Sequence, residues 1–192
     1  YGSDESLTVI EKIYQTVRDN AYDASVDLAI EKGAFPYFDS EKYMQGHFIQ
    51  QLPAEIQERI REHGTRNGVL ISQQPTGTIS LFSGCSSGIE PVYDFATVRR
   101  DRTGEHIMYH PLYEEWKNAH PDEVAPDYFA STNDLTPEDH IKVQAAVQKY
   151  TDASISKTVN APNGYTVDQV KELYMKAYDM GCKGITFYRD GS

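Results

Sequence analysis

The sequence has little cysteine: only Cys85 and Cys182 among 192 residues. Two thiols cannot build a disulfide scaffold or a four-cysteine zinc site, and no Cys-x-x-Cys pair occurs. The six histidines include one His-x-x-x-His spacing, His106 to His110, but in a stretch read as a strand, where residues four apart stand too far from each other to share a metal; no His-Glu-x-x-His occurs, so no metal site is expected. Basic charge is also scarce. Eighteen Lys+Arg against 29 Asp+Glu leave a net charge of −11, which argues against a basic face for duplex nucleic acid. No apolar run approaches the ~20 residues of a membrane helix, so no membrane span is expected. A charged-then-apolar leader is absent, and a chain opening Tyr1-Gly2-Ser3 without Met is expected to have lost its start. The plain reading of both cysteines is packed structural thiols in a reducing, cytoplasmic setting; one structural disulfide stays open.

The composition is that of a globular chain, 39% hydrophobic and 24% charged, long enough for a real core. Helical and extended signals alternate over residues 1–192, read as one region without repeats or linkers. Leu7, Ile10, Ile13, Tyr14, Val17, Ala21, Ala24 and Leu28 predict one apolar stripe on a helix that starts at Ser3 and stops at Gly33. Asp39 precedes a helical turn, and Pro53 opens a helix with Ile56 and Ile60 inward. Val69-Leu70-Ile71 reads as a buried strand. Residues 95–100 and 106–110 read as a hairpin around Gly104, and 111–119 as a short helix. Thr136-Pro137 starts another helix with Ile141, Val143, Ala146 and Val147 inward. Residues 154–159, a helix capped by Thr166, and 184–188 form a βαβ pattern, the helix burying Val167, Val170, Leu173, Tyr174, Ala177 and Tyr178. The fold class is α/β, with parallel strands, crossover helices and a β-hairpin.

The most informative local signal is Pro75-Thr76-Gly77-Thr78-Ile79-Ser80, small and hydroxyl residues at a helix start. Free backbone N–H groups and the helix dipole there both favour an anion such as phosphate. No Gly-Lys-Ser/Thr follows, so it is not a Walker loop, and taken alone it reads as ordinary capping. Ser83-Gly84-Cys85-Ser86-Ser87-Gly88 follows at once, and the two runs together suggest a concave site lined by backbone. Cys85 has no nearby His or Lys to lower its pKa and reads as a packed thiol. Trp116 reads as core, and Glu114-Glu115 and Asp122-Glu123 as solvated faces.

Residues 75–80, followed by Cys85-Ser86-Ser87-Gly88-Ile89-Glu90-Pro91, resemble the substrate-phosphate segment of adenosylcobalamin-dependent (class II) ribonucleotide reductases. Ala34-Phe35-Pro36, Arg66-Asn67, residues 152–160 and residues 181–191 resemble that family in the same order, so the likeness runs over nearly the whole chain. It implies the C-terminal part of a ten-stranded α/β barrel. The implied activity is reduction of a ribonucleotide, usually a diphosphate, at the 2′-hydroxyl through a thiyl radical, with adenosylcobalamin as cofactor and a cysteine pair as electron source. Pro75, Thr76, Gly77, Thr78, Ile79 and Ser80 match the phosphate cradle. Phe187 and Tyr188 match a strand near the active site, where metal-dependent relatives use two tyrosines; Phe187 departs from that pair.

The larger departure concerns cysteine. The family's radical cysteine lies in Asn-x-Cys-x-Glu, whereas Cys85 is flanked two residues away by Ser83 and Ser87, and Cys182 by Met180 and Gly184. No catalytic residue is therefore assigned here, and the effector-binding segment and Cys-x-x-Cys tail are missing. The resemblance implies a split subunit, a processed fragment or a truncated chain. Its expected partners are an N-terminal reductase half and a dithiol reductant such as thioredoxin, within an oligomer of the complete enzyme. The alternatives are a non-catalytic nucleotide-binding module and a fragment of a class I large subunit.

Overall fold

The computed structural model describes residues 1–191, with side chains except at positions 99–101. Helix α1 (Asp4–Lys32) begins where the Ser3 hydroxyl accepts the Ser6 N–H and ends at Gly33, whose φ of 83° needs a residue without Cβ. Helices α2 (Ser40–Met44) and α3 (Ala54–His63) follow, and α1 lies against α3 and against a later helix over Pro137–Gln148. Tyr22 and Val26 of α1, Ile49, Leu52, and Ile56 and Ile60 of α3 form the first core.

The buried face of α1 is not the predicted stripe. Arg18, Tyr22, Ser25, Val26 and Ala29 are buried, while Val9, Ile13, Val17 and Leu28 are exposed. The helix carries apolar residues on two sides, and its partners selected the side with polar members. Arg18 pairs with Asp19 and lies 5.0 Å from the centre of the Tyr150 ring, and Ser25 receives the Asn67 and Arg66 N–H groups. A count of apolar spacing misses such a face.

The segment 69–71 forms no strand, and Val69 is exposed. Its amides are taken by a side chain: Leu70 and Ile71 N–H donate to Asp152 at 2.7 and 2.8 Å, and Tyr22 O–H reaches the same carboxylate at 2.6 Å. A single parallel bridge, Gln73 to Ile155, continues the alignment.

Helix α4 (Gly77–Ser83) leads to the hairpin β1 (Ala96–Asp101) and β2 (Gly104–Tyr109), antiparallel and tighter than predicted, with only residues 102 and 103 between the strands. Phe95, Tyr113 and Phe129 cluster between the hairpin and α5 (Pro111–Ala119). Trp116 is half-buried rather than core and stacks on His120 at 5.0 Å.

Helix α6 (Pro137–Gln148) has the predicted Thr136 cap, completed by Asp139 as a capping box. Strand β3 (Thr158–Ala161) begins later than predicted, and α7 (Val167–Asp179) connects it to β4 (Thr186–Arg189), which pairs parallel to it. Of the expected inner face of α7, only Leu173 and Ala177 are buried; Val167, Tyr174 and Tyr178 are exposed. With Ile141 and Val159 these two residues make the second core. The architecture is mixed α/β. Among the described residues no helix is long and apolar enough to cross a membrane.

Candidate functional site

The first intrahelical bond of α4 runs from Ser80 N–H to Thr76 C=O at 2.8 Å, so the amides of Gly77, Thr78 and Ile79 lie ahead of the helical ladder. Thr76 itself holds φ 51°, the only positive φ outside glycine among the described residues. Such a conformation costs a threonine about 1–2 kcal/mol and persists only where neighbours impose it.

Those neighbours are the second small-residue run. Gly88 N–H donates to Thr76 Oγ1 at 2.9 Å, and the Ser87 hydroxyl donates to Pro75 C=O. A Cβ on Gly88 would stand 2.8 Å from Gln74 O, so only glycine permits this approach. The two runs therefore meet. Gln73, just before them, is anchored by Tyr14 O–H at 2.6 Å. Ser80 is buried and bonds back to Gly77 C=O, whereas Pro75, Gly77, Thr78 and Ile79 are exposed.

Behind this loop lies a group that sequence reasoning passed over. The fully buried Lys157 ammonium donates to Glu90 Oε2 at 2.6 Å, to His140 Nδ1 at 2.8 Å and to Thr158 C=O. Glu90 Oε1 accepts the Thr158 N–H at 2.8 Å, and Tyr1 O–H caps Ile89 C=O at 2.6 Å. Glu90 lies just after the second small-residue run and Lys157 just before β3. Their separation of 67 positions leaves no local signal of the pair.

Burial, and then the Lys157 charge, pushes the His140 imidazole down to about 4. The ring is therefore neutral, with Nδ1 accepting from Lys157 and Nε2 buried without a partner. Because the folded pKa lies below the ordinary value of 6.5, the unfolded chain takes up this proton first. Stability should be complete above pH 6.5 and fall by about 2 kcal/mol between pH 7 and pH 5, levelling below the folded value. Urea unfolding at several pH values checks this. A wild-type decline no steeper than that of His140→Gln would remove the assignment.

The remaining sequence candidates divide. Cys85 is exposed, not packed: it follows Gly84, which ends α4 at φ 66° and turns the chain outward. Cys182 is half-buried against the second core, and burial pushes its thiol up to about 11, so it stays protonated. Both thiols are free, which closes the disulfide option. Phe187 and Tyr188 point to opposite faces of β4, as alternation requires. Phe187 packs on Tyr165 in the second core, while Tyr188 lines a cleft of about 350 Å³ with Asn160, Asn163, Tyr93 and Asp190.

A family model described as the barrel domain of ribonucleotide reductase matches residues 1–188. The chain belongs to that family. This reductase barrel chain is 32% identical, over all of its length, to a vitamin B12-dependent ribonucleoside-diphosphate reductase of Thermoplasma acidophilum, of which it covers 26%. It is 31% identical, again over its whole length, to the enzyme of that name from Mycobacterium tuberculosis H37Rv, covering 28%. It is 28% identical over 98% of its length to the ribonucleoside-diphosphate reductase subunit alpha of Mycoplasma pneumoniae, covering 30%. The reductase barrel chain thus spans between a quarter and a third of the relatives it matches.

Proposed function

We propose that this chain supplies the substrate-phosphate cradle of an adenosylcobalamin-dependent ribonucleoside-diphosphate reductase. The observation that carries the reading is the strained Thr76 turn. It is locked by Gly88 and presents the Gly77, Thr78 and Ile79 amides and the Thr78 hydroxyl at an exposed helix start. Amides and hydroxyls there suit a diphosphate, which the helix dipole also favours. The cleft beside Tyr188 is of a size for a nucleoside.

The remainder of the barrel, with the radical cysteine, belongs to an N-terminal half. Two features of the chain favour such a partner. A two-stranded parallel sheet rarely stands alone, and β3 and β4 are paired only with each other among the described residues. Exposed apolar side chains, Val9, Ile13 and Val17 on α1 and Leu81 and Phe82 on α4, also need cover. Electrons for removal of the 2′-hydroxyl as water come in this reading from a cysteine pair oxidised to a disulfide, re-reduced by a dithiol protein such as thioredoxin. Neither cysteine here is assigned to that pair. The corrinoid is shared with the remainder of the enzyme, and no residue of this chain is assigned to it. This chain's part is to bind and orient the nucleotide.

Adenosylcobalamin-dependent CDP reduction with a dithiol, by this chain alone and mixed with a segment carrying Asn-x-Cys-x-Glu, tests the reading. Turnover is expected only in the mixture. Thr78→Val is expected to weaken CDP binding by ~1.5–3 kcal/mol, the worth of a charge-assisted hydrogen bond, without unfolding the chain. Turnover by this chain alone, or unchanged affinity in Thr78→Val, would reject it.

A further inference from the structure

We infer that the buried Lys157–Glu90 pair is a positioning device for nucleotide diphosphate binding, holding the Ser87–Glu90 loop so that Gly88 keeps Thr76 in its left-handed turn. The inference rests on the cradle reading and adds to it two residues that touch no phosphate.

The chain of contacts is continuous. Thr158 N–H and the Lys157 ammonium, both from β3 and its approach, each hold one oxygen of the Glu90 carboxylate, at 2.8 and 2.6 Å. Glu90 is two residues from Gly88, whose N–H meets Thr76 Oγ1 at 2.9 Å, and the Ser87 hydroxyl meets Pro75 C=O. Tyr1 O–H holds Ile89 C=O between these anchors. Thr76 has no hydrogen-bonded cap of its own, so its conformation depends on this loop. A carboxylate gripped at both oxygens fixes direction as well as distance, which a single hydrogen bond does not. The ammonium has a fully buried side chain, with Glu90 as its anionic partner and His140 Nδ1 and Thr158 C=O as neutral acceptors. Burial of that quality belongs to a fixed strut and not to a surface ion pair. The strut reaches the cradle from β3, the strand that also places Asn160 in the nucleoside-sized cleft. It therefore keeps the phosphate and nucleoside positions in register.

The test compares Glu90→Gln, Lys157→Met and Thr78→Val by CDP affinity and by amide hydrogen exchange at Gly88, both measured on the 192-residue chain. Glu90→Gln keeps an acceptor for Thr158 N–H and removes the charge facing Lys157. Lys157→Met leaves Glu90, which is partly exposed, free to hydrate, and serves if the first variant folds poorly. Each is expected to weaken CDP binding about tenfold and to speed exchange at Gly88. In the Glu90→Gln background Thr78→Val should weaken binding far less than it does alone, because the cradle is already displaced. A purely structural pair would lower the melting temperature and leave the two effects additive. If Thr78→Val weakens binding while both pair variants bind CDP normally, the positioning role is wrong and the cradle stands. If Thr78→Val has no effect either, the cradle reading fails and this inference falls with it.

Discussion

Asp152→Ala is expected to lower the unfolding free energy by about 3–5 kcal/mol, the range for stranding a buried hydrogen-bonded network. One carboxylate satisfies three donors from distant parts of the chain: Tyr22 O–H from α1 and the Leu70 and Ile71 amides. Tyr22 is only 1% exposed, and burial together with its bond to Asp152 pushes its hydroxyl well above the ordinary phenol range. That hydroxyl thus stays protonated and, without Asp152, loses its carboxylate acceptor and keeps only the Tyr43 hydroxyl beside it. Asp152→Asn should lose less, because its amide oxygen still accepts, although its NH₂ then faces one of three donors. Urea denaturation followed by circular dichroism gives both values under two-state conditions. A loss below about 1 kcal/mol in the alanine variant would mean that water replaces the carboxylate, and the network would not be what holds the 69–71 segment.

The second large effect is expected from Gly88→Ala. Its φ of 54° lies in the left-handed region, and the new methyl would stand 2.8 Å from Gln74 O and 3.4 Å from Pro75 O. Both obstacles are backbone and cannot swing aside. The left-handed strain of about 1–2 kcal/mol and an overpacking penalty of similar size together predict a loss of about 2–4 kcal/mol. Relief of the clash must pull residue 88 away from Thr76, so CDP affinity should fall more than tenfold at the same time. Gly84→Ala is the matched control: its φ is 66°, yet nothing lies within 4 Å of the added methyl. It should lose only about 1–2 kcal/mol and bind CDP normally. Equal behaviour of the two variants would show that the close approach of the loop to residues 74–76 carries no energy.

Features read correctly from the sequence were those whose physics is local. Ser3, Thr136 and Thr166 cap helices because their hydroxyls accept amides three residues on. Gly33 and Gly181 adopt positive φ at or just beyond helix ends, where a Cβ is disfavoured. The hairpin around Gly104 and the parallel pair across α7 are likewise short-range consequences of turn chemistry and alternation. The phosphate-site candidate was legible as composition, since small residues in two adjacent runs need no partner to be noticed.

What escaped depends on groups far apart in the chain. Val9, Ile13 and Val17 share one side of α1 with correct helical spacing, but α3 and α6 meet the other side, where Arg18 and Ser25 interrupt the apolar pattern. Residues 69–71 have strand-forming side chains, yet the Asp152 carboxylate takes their amides in place of a neighbouring strand. Cys85 looks like a core thiol by residue type and is turned outward by the glycine before it.

The sequence by itself determined where helices start and stop, that the chain is α/β, and that it belongs with the reductase barrels. The tertiary structure alone decided which helix faces are buried, that Gly88 closes on Thr76, and that Lys157 is sealed against Glu90 and His140. Capping and turn preferences act within about four residues and are written in adjacent letters. Pairing across 67 positions is settled only by which surfaces win burial, and by the requirement that every buried charge find its partner.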